Sequence, residues 1–228
     1  SISTISSLVV ADDRFIISKH NRLYIGGFGG EMFSNSAQIS QIGTLFFPQE
    51  LGGSQASFSH GRIKKYSTGF GGAQIGYECS KPSSGFECSG VALAPAAEME
   101  AIFFDSAKKG HLHHFLDAIP EHEFTDSFKK NVSICFVNGV VSLKNSLFGA
   151  SPYIGGGIGA ARISLHNVKS VQGSSDDSEV PHFNSKQTDS AWTFAAQAKF
   201  GVRYQISESF HIFSEYRYVY VDSINYIF

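Results

Sequence analysis

Nowhere in these 228 residues does an apolar run approach the roughly 20 that a helix needs to cross a bilayer, so a transmembrane helix is excluded. An excess of charge is also missing. Eighteen Lys and Arg meet 20 Asp and Glu, for a net charge of -2, so nothing suggests a nucleic acid or other polyanion as partner. Cysteine is scarce, at three, and shows no metal-ligand spacing: Cys79 and Cys88 are nine residues apart and Cys135 stands alone. A Cys79–Cys88 disulfide in an oxidising compartment and a pair of free thiols both fit that spacing. Proline numbers 6 and tryptophan 1, and the first residue is not Met. Residues 1–21 read as a tail or a signal-peptide remnant. Residues 5–11 are weakly apolar and end in small side chains, but no basic segment precedes them.

What is abundant points elsewhere. The chain holds 23 Gly, 21 Phe and 9 Tyr, while mean hydropathy is -0.06. Alternation of apolar and polar residues gives such a mean without any greasy run. Residues 192–206 alternate in this way. Trp192, Phe194, Ala196, Ala198, Phe200, Val202, Tyr204 and Ile206 share one parity, and Gln197, Lys199, Arg203 and Gln205 the other. Strand side chains point to opposite faces with period two, so one face is apolar with aromatics at its ends and the other is polar. A strand of a transmembrane β-barrel has this pattern.

Six further segments read as strands: 24–33, 66–78, 93–105, 131–143, 152–165 and 210–221. In 24–33, the apolar Tyr24, Phe28 and Met32 are expected to face outward, opposite Glu31. The faces of 131–143 are left open, because parity slips around residues 136–138, and the glycines of 152–165 blur its faces too. In 210–221, Ile212, Tyr216, Tyr218 and Tyr220 oppose His211, Glu215 and Arg217.

Connections alternate in length. Those after the first, third and fifth strands run to roughly two dozen residues, and those after the second, fourth and sixth shorten to as few as three. Long outer loops and short inner turns are the habit of outer-membrane barrels. Helical periodicity is lacking except in 112–128, where a short loop helix is conceivable. Closed single-chain barrels use even strand numbers. Seven strands are readable, so the expectation is an all-β, antiparallel up-and-down transmembrane β-barrel of the eight-stranded class, occupying 22–228, whose closing strand lies beyond residue 228. Pairing of residues 8–17 in its place is the less favoured alternative, since they do not alternate.

Two motifs carry a resemblance. Residues 151–159, Ser-Pro-Tyr-Ile-Gly-Gly-Gly-Ile-Gly, resemble a "PYIGxGIG" strand. Residues 200–204, Phe-Gly-Val-Arg-Tyr, followed by 213–218, Phe-Ser-Glu-Tyr-Arg-Tyr, resemble a "GVRY…FxEYRY" hairpin. Together they look like the eight-stranded opacity-protein and outer-membrane-protein-A-like β-barrels, which include surface antigens of intracellular bacteria. The likeness covers residues 23 to about 220 and departs from the pattern in its absent last strand and its longer second turn. It implies a bacterial outer-membrane surface protein acting as anchor, adhesin or antigen, with some such proteins described as porins.

The chemistry follows from the faces. Glu98, Glu100, Lys199, Arg203, Glu215 and Arg217 fall on the polar parity and are expected to pair inside the barrel as an ionic plug, because an eight-stranded interior is only wide enough for side chains. A polar channel lining is the competing reading and needs a wider barrel. Phe194, Phe200, Tyr204, Tyr216 and Tyr218 are expected to face lipid. His111, His113, His114 and His122, with Asp117, Glu121 and Glu123, form the densest ligand-capable stretch, but no His-Glu-x-x-His spacing occurs, so no metal or other cofactor is expected. His166, Ser170, Asp176, Asp177 and His182 supply catalytic residue types without a nucleophile elbow or a phosphate-binding glycine loop, and no enzyme is expected.

Function is expected in the loops 35–65, 106–130 and 166–190, since binding residues concentrate on loops held by rigid scaffolds. Phe46 and Phe47, with Pro48 and flanked by Ile42 and Leu51, form a candidate contact for a host-cell surface protein, or else fold back on the rim. The expected partners are outer-membrane lipid and such a host protein. The other readings are a small porin for passive diffusion and a soluble lipocalin-like carrier whose apolar parity faces inward. Ala198→Arg or Phe200→Arg should cost about 2–4 kcal/mol near the bilayer midplane, and Gln197→Arg much less. Refolding titrations in lipid check this, and equal costs at the three positions would contradict the facing.

Overall fold

The structure, a computed structural model, describes residues 2–18, 21–35, 37–46, 54–63, 65–79, 92–114, 123–144, 150–172, 188–207 and 209–224. Ten strands occupy them: β1 (Ile2–Ser18), β2 (Asn21–Ser34), β3 (Ala37–Phe46), β4 (Ser54–Ile63), β5 (Tyr66–Cys79), β6 (Ala92–His114), β7 (Glu123–Lys144), β8 (Ala150–Gln172), β9 (Thr188–Gln205) and β10 (Phe210–Val221). No helix occurs among the described residues, and the fold is all-β.

The seven strands read from the sequence are β2 and β5 to β10, antiparallel and up-and-down between neighbours. Among the described residues the ring is closed by β1, which pairs with β10 on one side and β2 on the other. The order β6-β5-β2-β1-β10-β9-β8-β7 therefore returns to β6 through the β6–β7 pairing, an eight-membered ring. β1 thus falls within residues 1–21, read from the sequence as a tail or signal remnant, and the less favoured alternative, pairing of residues 8–17 in place of a later strand, is the arrangement seen. Register shifts fall between Ser7 and Val10 on the β10 side and between Leu8 and Asp12 on the β2 side. Such irregularities interrupt period-two alternation, which hid the strand.

Two expected loops also prove to be largely strand. β6 continues to His114 and β7 begins at Glu123, paired throughout from Ala92–Lys144 to His113–Glu123. Most of 106–130 is thus an extended hairpin, and 112–114 and 123–128 are strand where a helix was conceivable. Within 35–65, β3 and β4 form a hairpin of their own, joined to the ring where residues 59–62 pair with 111–114 of β6. Phe46 is the last residue of β3, opposite Ser54, while Phe47 lies outside the described residues.

Exposure follows the parity of the strands. On β9, Phe194, Phe200 and Tyr204 are exposed (Phe200 at 58%), while Gln197, Lys199 and Arg203 are buried. On β10, Tyr216 and Tyr218 are exposed, and Glu215 and Arg217 are buried. On β6, Met99 and Phe103 face out while Glu98, Glu100 and Ile102 face in. The facing of β2 is the reverse of expectation: Tyr24, Phe28 and Met32 are buried, and Ile25 and Phe33 are exposed. Nor does β7 slip. Val132, Ile134, Phe136, Asn138, Val140 and Ser142 all point inward. The interior contains an apolar cluster including Phe28, Met32, Ile102, Ile134, Phe136 and Phe213, so in β2 and β7 an inward row can be as apolar as an outward one. Hydrophobicity alone cannot then tell the two faces apart.

Candidate functional site

Inside the ring, register and glycine together decide which side chains meet. Tyr24 on β2, Gly76 on β5 and Glu98 on β6 stand opposite one another. A Cβ at Gly76 would overlap the Tyr24 ring. With none there, the ring lies across β5 and its hydroxyl donates to Glu98 on the strand beyond. The same device recurs across the barrel. Tyr153 on β8, Gly201 on β9 and Glu215 on β10 are in register. Tyr153 passes over Gly201, and its hydroxyl donates to Glu215 Oε2 at 2.8 Å. A third case joins Asn138 on β7 to Gln197 on β9 over Gly157 on β8, the Gln197 amide donating to Asn138 Oδ1 at 2.7 Å. Each of these three glycines, Gly76, Gly157 and Gly201, clears space for a polar bridge two strands wide, a reason for glycine in strands that it would otherwise weaken.

The charges occupy the space between these bridges. Lys199 is 2% exposed and is bound by Glu98 and Glu100, with Glu215 Oε2 at 3.8 Å from Nζ. Arg217 is fully buried; its Nη1 lies 2.9 Å from Glu100 Oε2, and its Nε donates to Glu215. Its guanidinium also covers the Phe28 ring at 4.0 Å. Arg203, 3% exposed, stands between the two bridging tyrosines, 5.1 Å from each ring centroid. It is 3.8 Å from Glu78 Oε2 and 3.9 Å from Glu98 Oε1. Among the described residues, buried Glu78, Glu98, Glu100 and Glu215 thus face buried Lys199, Arg203 and Arg217, with His211 buried as well. Lys199 and Arg217 are directly opposed across β9 and β10, an arrangement that repels unless carboxylates intervene. Glu100 contacts both and supplies the compensation.

All six charges singled out from the sequence therefore lie in one connected network. Sequence reasoning missed Tyr24, Glu78, Tyr153 and the bridging amides Asn138 and Gln197. Gln197 also donates to Glu100 Oε2 at 2.6 Å, so Gln197→Arg, milder on parity alone, forfeits two hydrogen bonds. The signal that could have exposed the tyrosines is a glycine in register between Tyr and Glu on flanking strands, which is visible only once pairing is known.

The remaining candidates do not converge with this network. His111, His113 and His114 end β6 and Glu123 begins β7, while Asp117, Glu121 and His122 lie outside the described residues. His166 and Ser170 are on β8, with Asp176, Asp177 and His182 outside the described residues. Cys79 and Cys135 are exposed free thiols, and Cys88 lies outside the described residues. Just past β10, Asp222 accepts the Ser223 N–H at 2.7 Å, a bond that holds its carboxyl below the usual carboxylate range. No protein-family model and no curated protein matched this chain.

What this interior does chemically is fill and fix the ring. Removing one partner from a buried pair leaves an unpaired charge and costs about 3–5 kcal/mol. Lys199→Met should lose that much in urea unfolding of the lipid-refolded protein. Glu98→Gln added to Lys199→Met should cost less than Glu98→Gln alone, whereas strict additivity would mean that the two groups do not interact. Glycine gives a separate test. Gly76→Ala should destabilise by about 1–3 kcal/mol through overpacking against Tyr24. Gly139, beside which an added Cβ meets nothing within 4 Å, should accept Ala with a gain of about 0.4–1 kcal/mol. Equal effects in unfolding titrations would contradict the bridging role.

Proposed function

We propose that this chain is a bacterial outer-membrane β-barrel surface protein that anchors in lipid and presents its outer hairpins for adhesion or immune recognition. One observation carries the reading: large apolar side chains are exposed all around a ring whose interior holds a buried ion-pair network beside an apolar cluster. A water-soluble barrel does not leave so many large apolar side chains facing water, because burying apolar surface drives its folding. In hydrocarbon the same arrangement is the stable one, since outward groups meet lipid and every backbone group in a closed ring finds a partner. The aromatic residues supply a length scale. Trp192 and Tyr204, both exposed on β9, are twelve residues apart, about 40 Å along the strand and about 30 Å across a bilayer at barrel tilt. That matches the hydrocarbon thickness, with an aromatic at each interface.

The dense pairing of Lys199, Arg203 and Arg217 favours anchoring over solute diffusion, because it leaves these charges sealed rather than lining a water column. Presentation then falls to the parts beyond the belt: β3–β4, the upper halves of β6 and β7, and the connection between β8 and β9. A host-cell surface protein is the partner this reading names.

Trp192 is the only tryptophan, so its emission reports its surroundings without labelling. On refolding into vesicles it should shift to shorter wavelength and be quenched by lipids brominated near the headgroup, with little quenching by acrylamide. The reverse, in a monomer that stays soluble without detergent, would sink the membrane reading in favour of a carrier. In planar bilayers the protein should give no reproducible unitary conductance, and a defined one would favour the porin. Cells displaying the protein should bind host cells and lose that binding when the outer hairpins are trimmed by protease.

A further inference from the structure

On the outer surface of the ring, register gathers cations and hydrogen-bond donors just where the apolar surface ends. On β7, β8 and β9, Cys135, Ala160 and Phe194 form one outward row. The next row toward the long connections holds Ser133, Arg162 and Trp192. Beyond it come Asn131, Ser164 and Ser190, and then Lys129, His166 and Thr188. Opposed residues share a face, with Cβ atoms about 4.5–5.5 Å apart, and successive rows on one face are about 7 Å apart. Arg162 thus stands one row below the Asn131–Ser164 pair and Lys129 one row above it. Arg162, Trp192, Asn131, Ser190 and Lys129 are exposed. Among the described residues, neither Arg162 nor Lys129 forms an ion pair. Asp105 on β6 is opposite Asn131, on the side of β7 away from Arg162. Asp189 falls on the inward parity of β9, opposite buried Leu165. The face over Ser164 and Ser190 is therefore the cationic one.

We propose that Arg162, Lys129 and the polar groups between them form a site for the phosphate of an anionic outer-leaflet lipid, one whose headgroup carries no cation of its own. The inference rests on the membrane reading above. In that setting Trp192 marks the outer interface, and Arg162 is directly opposite it. The Arg162 row is also the last before every outward residue of β7 to β9 turns polar. An arginine at that level lays its stem along apolar neighbours such as Ala160 and lifts its guanidinium to the headgroups. The planar fork grips two phosphate oxygens, while Lys129 approaches from above as a point charge. Asn131 and Ser164 lie between the two cations and offer an amide and a hydroxyl as further donors. A zwitterionic headgroup fits less well, because its ammonium meets the same two cations. The level of the site argues for a lipid rather than a protein carboxylate, since the patch borders the belt instead of standing clear of it. A lipid held there braces β7, β8 and β9 together where they leave the bilayer.

The test uses the full chain refolded in phosphatidylcholine vesicles. Trp192, the sole tryptophan, stands opposite Arg162, so quenching by a lipid brominated near its headgroup reports what occupies the site. Brominated phosphatidic acid, as a minor component, should quench as though enriched about tenfold beside Trp192, the effect of two basic residues at the surface. The same fraction of brominated phosphatidylcholine should quench only in proportion to its amount. Arg162→Gln and Lys129→Gln should each cut the enrichment about threefold. Lys65→Gln, at an exposed cation just before β5, should leave it unchanged. Millimolar inorganic phosphate should not relieve the quenching; relief would assign the site to a soluble phosphate and overturn the lipid. Quenching proportional to the brominated fraction, with emission still at short wavelength, would overturn the site and leave the membrane reading standing. Enrichment that survives both substitutions together would overturn it too, since diffuse surface charge would then suffice. Long-wavelength emission in every vesicle would overturn the membrane reading and the site with it.

Discussion

A charge removed from water must find its opposite close by, and that requirement organises this barrel more than any other. Lys199 and Arg217 stand side by side on neighbouring strands, and both are compensated by carboxylates, with Glu100 and Glu215 each in contact with the pair. Arg203 satisfies a different geometry, lying between two tyrosine rings with Glu78 and Glu98 at its ends. The contacts join β5, β6, β9 and β10 across the interior, while the tyrosine bridges add β2 and β8. Strand pairing alone fixes neighbours; the ionic interior fixes strands that do not touch. Such networks are often no more stabilising than a hydrophobic filling, and their stronger contribution is to penalise every register but one.

Glycine makes that interior possible. A barrel of eight strands leaves little room for side chains to cross, and a Cβ beneath each bridge would close it. Gly76, Gly157 and Gly201 sit under Tyr24, Asn138 and Tyr153, one glycine for each polar bridge. The flexibility they add to the unfolded chain is a cost offset by the hydrogen bonds they admit.

Much of this was legible in the sequence, and the illegible parts share physical causes. β9 and β10 alternate cleanly, since their inward rows are ionic and their outward rows apolar, and their charges were assigned to one network from parity. β2 and β7 misled or resisted because Phe28, Met32, Ile134 and Phe136 line an apolar layer inside the ring, so both faces look alike. β1 escaped because its pairing is irregular near Ser7 and Leu8, where alternation resets. The upper parts of β6 and β7 were taken for a loop because residues 106–114 and 123–130 are rich in charge and histidine, a composition that reads as a solvated connection. Tyr24, Glu78 and Asn138 lay beyond reach for another reason. Their roles depend on which strands are neighbours, and no local pattern encodes that.

The central claim is that the apolar rows meet lipid while the ionic rows meet each other. Carbene labelling from a diazirine reagent dissolved in the bilayer, read residue by residue by mass spectrometry, tests it most directly. Modification is expected on Phe194, Phe200, Tyr204, Tyr216 and Tyr218, with none on Lys199, Arg203, Glu215 or Arg217. Label on the charged row with the aromatic row untouched would contradict the claim.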